Sequence, residues 1–350
     1  MRNIAILVNT LESGGAERQS IYLLNALSDN YKINLIVFYG ERFEDKLIKL
    51  IKGGNYNLIK LEGHSLIKIF NLFKILKANK VTHLFTYLTK PNFYGALIGR
   101  LAGIKYIYTN IRTSKLPYWK IFLEHISSNY FSTATIFNSY IGENIFRGKG
   151  IKKGIVIPNC FPDIASAFTR EQKEIIKIIT VGRFVEEKDY FTALRAIKEL
   201  QTSRNNFIFQ IVGYGKMEHE IRNKISELCL ENNVEIFINP NNISELLNVA
   251  DIYLSTSLFE GTSNSIMEAM NACLPIVATN VGDNSRLVFE GKNGCLHNVG
   301  DFKAIAKSLK ILTNDYNKRI EFGLESNRML RENYSHQKFK NEYLNLIRQA

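Results

Sequence analysis

Two glutamates separated by seven residues, Glu260 and Glu268, flank the start of a helical pattern in the segment 250–294. The segment opens on the strand-like run Ala250-Asp251-Ile252-Tyr253-Leu254-Ser255. It continues through Ser257-Leu258-Phe259-Glu260-Gly261-Thr262-Ser263-Asn264 into a helix over 264–272. Asn264 reads as its N-cap, which places Glu268 in the first turns. Backbone N–H groups at a helix start bind anions. Those at Ser265 and Ile266 are therefore candidates for phosphate, Glu268 for the paired hydroxyls of a ribose, and Glu260 for the group being moved. The plainer alternative leaves both glutamates as capping and helix-dipole residues, worth ~0.3–1 kcal/mol each.

Three other turns carry chemistry of the same kind. Thr180-Val181-Gly182-Arg183-Phe184 ends a strand and is followed by Val185-Glu186-Glu187-Lys188-Asp189. Arg183 offers a planar fork and Lys188 a mobile point charge, and both can reach one diphosphate. Pairing with Glu186 or Glu187 in a solvated loop is the alternative. Leu11-Glu12-Ser13-Gly14-Gly15-Ala16-Glu17-Arg18 follows the first strand, and Gly14 and Gly15 allow a ligand close to the backbone. Val212-Gly213-Tyr214-Gly215 is a weaker signal of the same type. Neither a G-x-G-x-x-G fingerprint nor a G-x-x-x-x-G-K-[ST] loop is present, which weakens the dehydrogenase and NTPase readings.

These turns need strands to carry them. Short β-rich runs lie at 4–8, 33–38, 83–87, 106–109, 135–137 and 155–157. A second series lies at 175–181, 207–212, 234–237, 252–255, 275–278 and 294–296. Helical patterns separate them, so two mostly parallel, doubly wound α/β sheets are expected. The boundary falls in 158–169, after a Pro-Asn turn, and a last helix near 334–348 is expected to pack back toward the first domain. Ligands of such sheets bind beyond the carboxyl ends of the strands.

Composition limits the classes. The 350 residues carry a net charge of +12, with 45% hydrophobic and 22% charged residues, enough to bury real cores. Residues 1–160 hold 22 Lys+Arg against 9 Asp+Glu, while the remaining 190 residues hold 23 against 24. The basic excess therefore belongs to the first half. Cys160, Cys229, Cys273 and Cys295 are scattered and form no CxxC or Cys/His cluster, so neither zinc nor a disulfide framework is expected. No apolar run is long enough to span a bilayer, and the opening residues read as a buried strand and not a signal peptide. A reduced, cytoplasmic protein is the expectation.

Taken together, GGAER, VGRFVEEK, ADIYLSTSLFEGTSNSIMEAM, LPIVAT and NVGDNSRLV resemble the retaining glycosyltransferases of family 4, the "glycosyl transferases group 1". The resemblance runs over nearly the whole chain, with the motifs in the family's order. It implies the GT-B fold: two Rossmann-like domains facing a cleft, with an acceptor-binding domain over 1–160, a nucleotide-sugar-binding domain over 161–333 and a returning helix over 334–350. It implies Glu268 on the ribose, Glu260 on the sugar ring, and Arg183 and Lys188 on the diphosphate. Gly14, Gly15, Gly213, Asn264, Ser265 and Ile266 would assist on the donor side. The implied reaction moves a sugar, with retention, from a nucleotide-sugar donor (a UDP-sugar) to a lipid-linked or glycan acceptor in bacterial surface polysaccharide synthesis. No metal and no cofactor are expected.

The sequence departs from the family in places. Cys160 replaces the usual Gly of the interdomain turn, and Cys273 stands where Gly often precedes Leu-Pro; it reads as packing and not as a nucleophile. Thr86-Tyr87-Leu88 replaces a customary His, leaving Tyr87 or Arg112 for the acceptor side. The basic half suggests a peripheral position on an anionic membrane surface, at the inner face of the cell membrane. Residues 65–77 form an apolar helix edged with lysines, read either as a core helix or as a membrane face. Lys115, Tyr118, Trp119 and Lys120 have an interfacial composition. A nucleic-acid binder is the alternative from another class, but no nucleic-acid signature is present and no nucleic-acid partner is expected. An epimerase or phosphorylase on the same fold is the nearer alternative.

Overall fold

The computed structural model describes residues 2–12, 14–43, 45–203 and 206–349. The chain divides into two compact units. One runs to Pro162 and takes in the segment from Tyr334; the other is Asp163–Asn333.

In the first unit seven parallel strands run in the order β3-β2-β1-β4-β5-β6-β7. They are β1 (Asn3–Val8), β2 (Lys32–Val37), β3 (Tyr56–Lys60), β4 (His83–Tyr87), β5 (Tyr106–Ile111), β6 (Ala134–Phe137) and β7 (Gly154–Val156). Strands buried on both faces read as continuous apolar runs. Along β1, Ile4, Ile6 and Val8 enter one core and Ala5 and Leu7 the other. The expected six strands become seven because β3 is an edge strand with no fully buried residue, and its sequence lacks the apolar run of a central strand. The last helix, His336–Gln349, returns to this unit and buries Phe339, Tyr343, Leu344 and Ile347 beside the helix Gly15–Leu27.

The second unit has six parallel strands in the order β10-β9-β8-β11-β12-β13. These are β8 (Ile176–Arg183), β9 (Phe207–Tyr214), β10 (Val234–Ile238), β11 (Ile252–Ser255), β12 (Ile276–Thr279) and β13 (Gly294–His297). The order reverses between the first and fourth strands of each sheet, β1/β4 and β8/β11. Those two switch points are where such sheets hold ligands. Among the described residues no helix is long and apolar enough to cross a membrane.

Candidate functional site

At the β8/β11 switch point, the turns after the two strands are tied together by side chains. Thr256 donates its hydroxyl to the carbonyls of Lys188 (3.1 Å) and Asp189 (2.8 Å), and the Leu258 N–H donates to Glu187 O (2.8 Å). Glu260 Oε1 accepts from Lys188 Nζ at 2.5 Å and from Ser257 Oγ at 2.8 Å. Lys188 therefore pairs with Glu260, not with Glu186 or Glu187 of its own loop. Arg183, at the end of β8, is exposed, and among the described residues it has no ion pair.

Burial pushes the phenol of Tyr253, on β11, up, and the charges of Glu268 and Glu260 act in the same direction. Tyr253 is buried and its hydroxyl reaches Val181 O at 3.4 Å, against the strand that ends in Arg183. The loop of Gly282 supports Glu260 from the other side. Gly282 has φ +55°, and a Cβ there would come within 2.3 Å of the Glu260 carbonyl oxygen.

One expectation changes in detail. The cap of the helix Asn264–Asn271 is Ser263, not Asn264, and its hydroxyl accepts from Ile266 N–H at 3.5 Å. The Ile266 donor is thus already engaged. Gly213 lies inside β9, where a Cβ would strike Gly182 O at 1.8 Å. Close approach of β8 and β9 accounts for that glycine without a ligand. Gly14 caps the helix Gly15–Leu27, and the tip of the Glu17 side chain lies where a Cβ on Gly14 would fall. Burial raises the Glu17 carboxyl. Ser13 of that loop lies outside the described residues.

The first unit carries its own polar site at the β1/β4 switch point, a cavity of about 600 Å³. Asn9 follows β1, Lys90 follows β4, and Arg112 follows β5; the helix Tyr118–Ile126 contributes Trp119, Lys120 and Glu124. Arg112 is held by Asn159 Oδ1 (2.9 Å), Asn110 Oδ1 (3.2 Å), Tyr87 OH (3.3 Å) and Tyr343 OH (3.4 Å). Tyr87 is a core residue that positions Arg112. Cys160 is clamped too: its N–H donates to Gln19 Oε1 and its carbonyl accepts from Gln19 Nε2. Glu124, 1% exposed, accepts from Asn92 Nδ2 at 2.9 Å. Asn92 joins it to Asn110 and Thr86. Burial raises the Glu124 carboxyl to about 7. Sequence reasoning passed over this residue. Its signal was present, since Glu124 is the only acidic residue between Glu62 and Glu143.

Tyr118 is 92% exposed and Trp119 56%, with Phe122 also exposed on the same helix and the Lys120 ammonium 5.3 Å from the Trp119 ring. The helix Ser65–Ala78 combines both readings made of it. Leu72 and Leu76 are core and Lys68 is buried against Glu41, whereas Leu66, Ile67 and Phe70 are exposed.

Residues 163–329 match the family model described as "Glycosyl transferases group 1". A Campylobacter jejuni protein, GalNAc-alpha-(1->4)-GalNAc-alpha-(1->3)-diNAcBac-PP-undecaprenol alpha-1,4-N-acetyl-D-galactosaminyltransferase, is 26% identical over 99% of this chain and 98% of its own. An Escherichia coli protein, UDP-Gal:alpha-D-GlcNAc-diphosphoundecaprenol alpha-1,3-galactosyltransferase, is 24% identical over 86% and 85%. Among solved structures, Anabaena Alr3699/HepE in complex with UDP-glucose aligns over all of both chains with a TM-score of 0.86 at 17% identity. The lipopolysaccharide outer core galactosyltransferase WaaB aligns over 99% of this chain and 100% of its own, with a TM-score of 0.78 at 15% identity. Those two likenesses establish the fold.

Proposed function

We infer the reaction from one premise: the chain belongs to the group 1 glycosyltransferases, family 4, with the GT-B fold. It transfers a sugar from a UDP-sugar to a lipid-linked glycan, with retention at the anomeric carbon, in the assembly of a bacterial surface polysaccharide. The observation that carries this reading is the Lys188–Glu260 pair, which ties the turn after β8 to the turn after β11 at the switch point, with Arg183 exposed at the end of β8.

Each group has a role in that reading. Glu268 accepts hydrogen bonds from the ribose hydroxyls. Arg183 receives the diphosphate, where a planar cation matches two phosphate oxygens. Glu260, fixed by Lys188 and Ser257, meets the hydroxyls of the transferred sugar. Negative charge develops on the departing diphosphate, and preorganised cations there lower the barrier. Glu260 is not a covalent nucleophile in this scheme: a diphosphate oxygen takes the acceptor's proton. The first unit binds the acceptor at its cavity. Tyr118, Trp119, Lys115 and Lys120 bring that unit to an anionic membrane surface, the place of a lipid-linked substrate. The relatives' names support this acceptor class, since they specify undecaprenol-linked diphosphates.

A screen of nucleotide sugars by thermal stabilisation tests the donor assignment, because a ligand that binds only the folded state raises its apparent stability. One UDP-sugar stabilises the protein, and Glu268→Ala abolishes the shift. Equal stabilisation of the variant would refute the ribose role.

A further inference from the structure

We propose that Thr256 is a positioning residue of the transfer reaction: its hydroxyl holds the strained turn that delivers the Lys188 ammonium to Glu260. This rests on the role given to Glu260 above and adds the group that sets its partner in place.

The strain lies at Asp189, whose backbone has φ +44° and ψ +56°, in the left-handed region. Aspartate tolerates that region better than most residues, yet still at a cost. Such residues persist only where their surroundings over-determine them. Here the segment 256–258 takes three consecutive carbonyls of the turn. The Leu258 N–H donates to Glu187 O at 2.8 Å, and the Thr256 hydroxyl is shared between Asp189 O at 2.8 Å and Lys188 O at 3.1 Å. Thr256 is 3% exposed, so solvent is a poor substitute for that donor. Removing the hydroxyl leaves two carbonyls of a strained turn short of their partner.

Three parts of the site depend on this turn. Asp189 caps the helix Tyr190–Gln201, its side chain accepting from the Thr192 N–H at 3.2 Å. Tyr190, the first residue of that helix, donates its hydroxyl to Gly182 O at 2.9 Å, one residue before Arg183. Lys188 precedes Asp189, and its stem runs along Gly182, where an added Cβ would lie 3.2 Å from Lys188 Cε. Lysine carries its charge on a flexible four-carbon stem, so one fixed ammonium position needs a fixed backbone at its base. A turn free to relax at Asp189 would carry Lys188 away from Glu260. Thr256 directly follows β11, and its neighbour Ser257 donates to the same Glu260 oxygen that Lys188 reaches. Two adjacent hydroxyls therefore fix both partners of the pair, Thr256 through the backbone of the lysine and Ser257 through the carboxylate.

The test compares Thr256→Val, which keeps the shape and removes the hydroxyl, with Thr256→Ser, which keeps the hydroxyl. Thr256→Val lowers kcat/KM for the stabilising nucleotide sugar by about ten- to 100-fold, the cost of a group displaced by about an ångström. Thr256→Ser stays close to wild type. In the Lys188→Met protein, Thr256→Val costs little more, because the lysine through which the hydroxyl acts is gone. The same fold loss in both backgrounds would show a general structural role and overturn the proposal, as would wild-type kcat/KM in Thr256→Val. A second readout needs no turnover. The Lys188–Glu260 coupling is measured from the unfolding of Lys188→Met, Glu260→Gln and the double variant, and Thr256→Val reduces it to less than half. Undiminished coupling would overturn the proposal even if the chain transferred no sugar, whereas an inactive wild type with the coupling lost in Thr256→Val would defeat the transferase reading and leave the hold on Lys188 intact. If Thr256→Val does not fold, Asp189→Gly, which relieves the left-handed strain, serves as the host for the same comparisons, and the same outcomes decide them.

Discussion

The ammonium of Lys188 lies 2.5 Å from Oε1 of Glu260, a residue 72 positions along the chain, and Ser257 holds the same oxygen from the other side. The pair links the turn after β8 to the turn after β11, the two strands between which the sheet order reverses. Both side chains are largely buried, so removing either leaves the other poorly compensated, at about 1–3 kcal/mol. Lys188→Met and Glu260→Gln should each lower the melting temperature and reduce kcat/KM by about 100-fold or more. A double-mutant cycle should return a coupling of about 0.5–3 kcal/mol. Simple additivity would mean that the pair is incidental.

Gly282 gives a more selective probe of Glu260. Its φ of +55° already disfavours a side chain, and the nearest atom to an added Cβ would be the Glu260 carbonyl oxygen. Gly282→Ala should destabilise the protein by about 1–3 kcal/mol. Because the collision falls on the Glu260 peptide, donor-sugar affinity should drop as well. Titration with the stabilising nucleotide sugar, below the melting range of the variant, checks this. Unchanged affinity would show that the loop moves without Glu260.

The pH dependence of stability should carry the signature of Glu124. Its carboxyl is raised by burial from 4.5 to about 7, so the folded chain holds this proton more tightly than the unfolded chain. The group imposes no penalty below pH 4.5, costs stability progressively as pH rises through that window, and imposes its full penalty above 7. The total is on the order of a few kcal/mol at ~1.4 kcal/mol per unit. Glu124→Gln should flatten the melting temperature between about pH 5 and 8. Parallel profiles for the two proteins would remove Glu124 as the cause.

The proposed membrane contact rests on the helix Tyr118–Ile126. Sedimentation with vesicles rich in phosphatidylglycerol should capture the protein, and neutral vesicles should capture less. Lys115→Gln and Lys120→Gln should each weaken capture by about fivefold, near 1 kcal/mol per surface cation. Tyr118→Ala with Trp119→Ala should weaken it on both vesicle types. Equal capture by neutral and anionic vesicles would sink the electrostatic part.

Most of the second unit was legible in the sequence. Its central strands are apolar on both faces and its turns carry Gly, Arg and Glu at fixed offsets, so the strand ends could be placed from spacing, while the roles given to Glu260 and Glu268 came from the family resemblance. The Lys188–Glu260 contact could not, because spacing says nothing about which loop a lysine crosses to. The cap at Ser263 was missed by one residue, since Ser and Asn serve equally well in that position. In the first unit the edge strand Tyr56–Lys60 lacks an apolar run. Its polar site is assembled from Asn9, Asn92, Asn110 and Asn159, single amides far apart in sequence that no local pattern connects. The Glu17 side chain over Gly14 was equally illegible, because nothing in the Gly-Gly turn marks a carboxylate of its own helix folding back on it.

The central claim is transfer, and the direct measurement is product formation. The protein, one stabilising UDP-sugar and a short prenyl-diphosphate-linked saccharide are incubated together, and the products are resolved by mass and by anomeric NMR. The account predicts one added sugar on the acceptor with the anomeric configuration of the donor retained. It also predicts no consumption of donor when the acceptor is omitted, and loss of product in Glu268→Ala. Donor conversion without acceptor, or an inverted linkage, would contradict it.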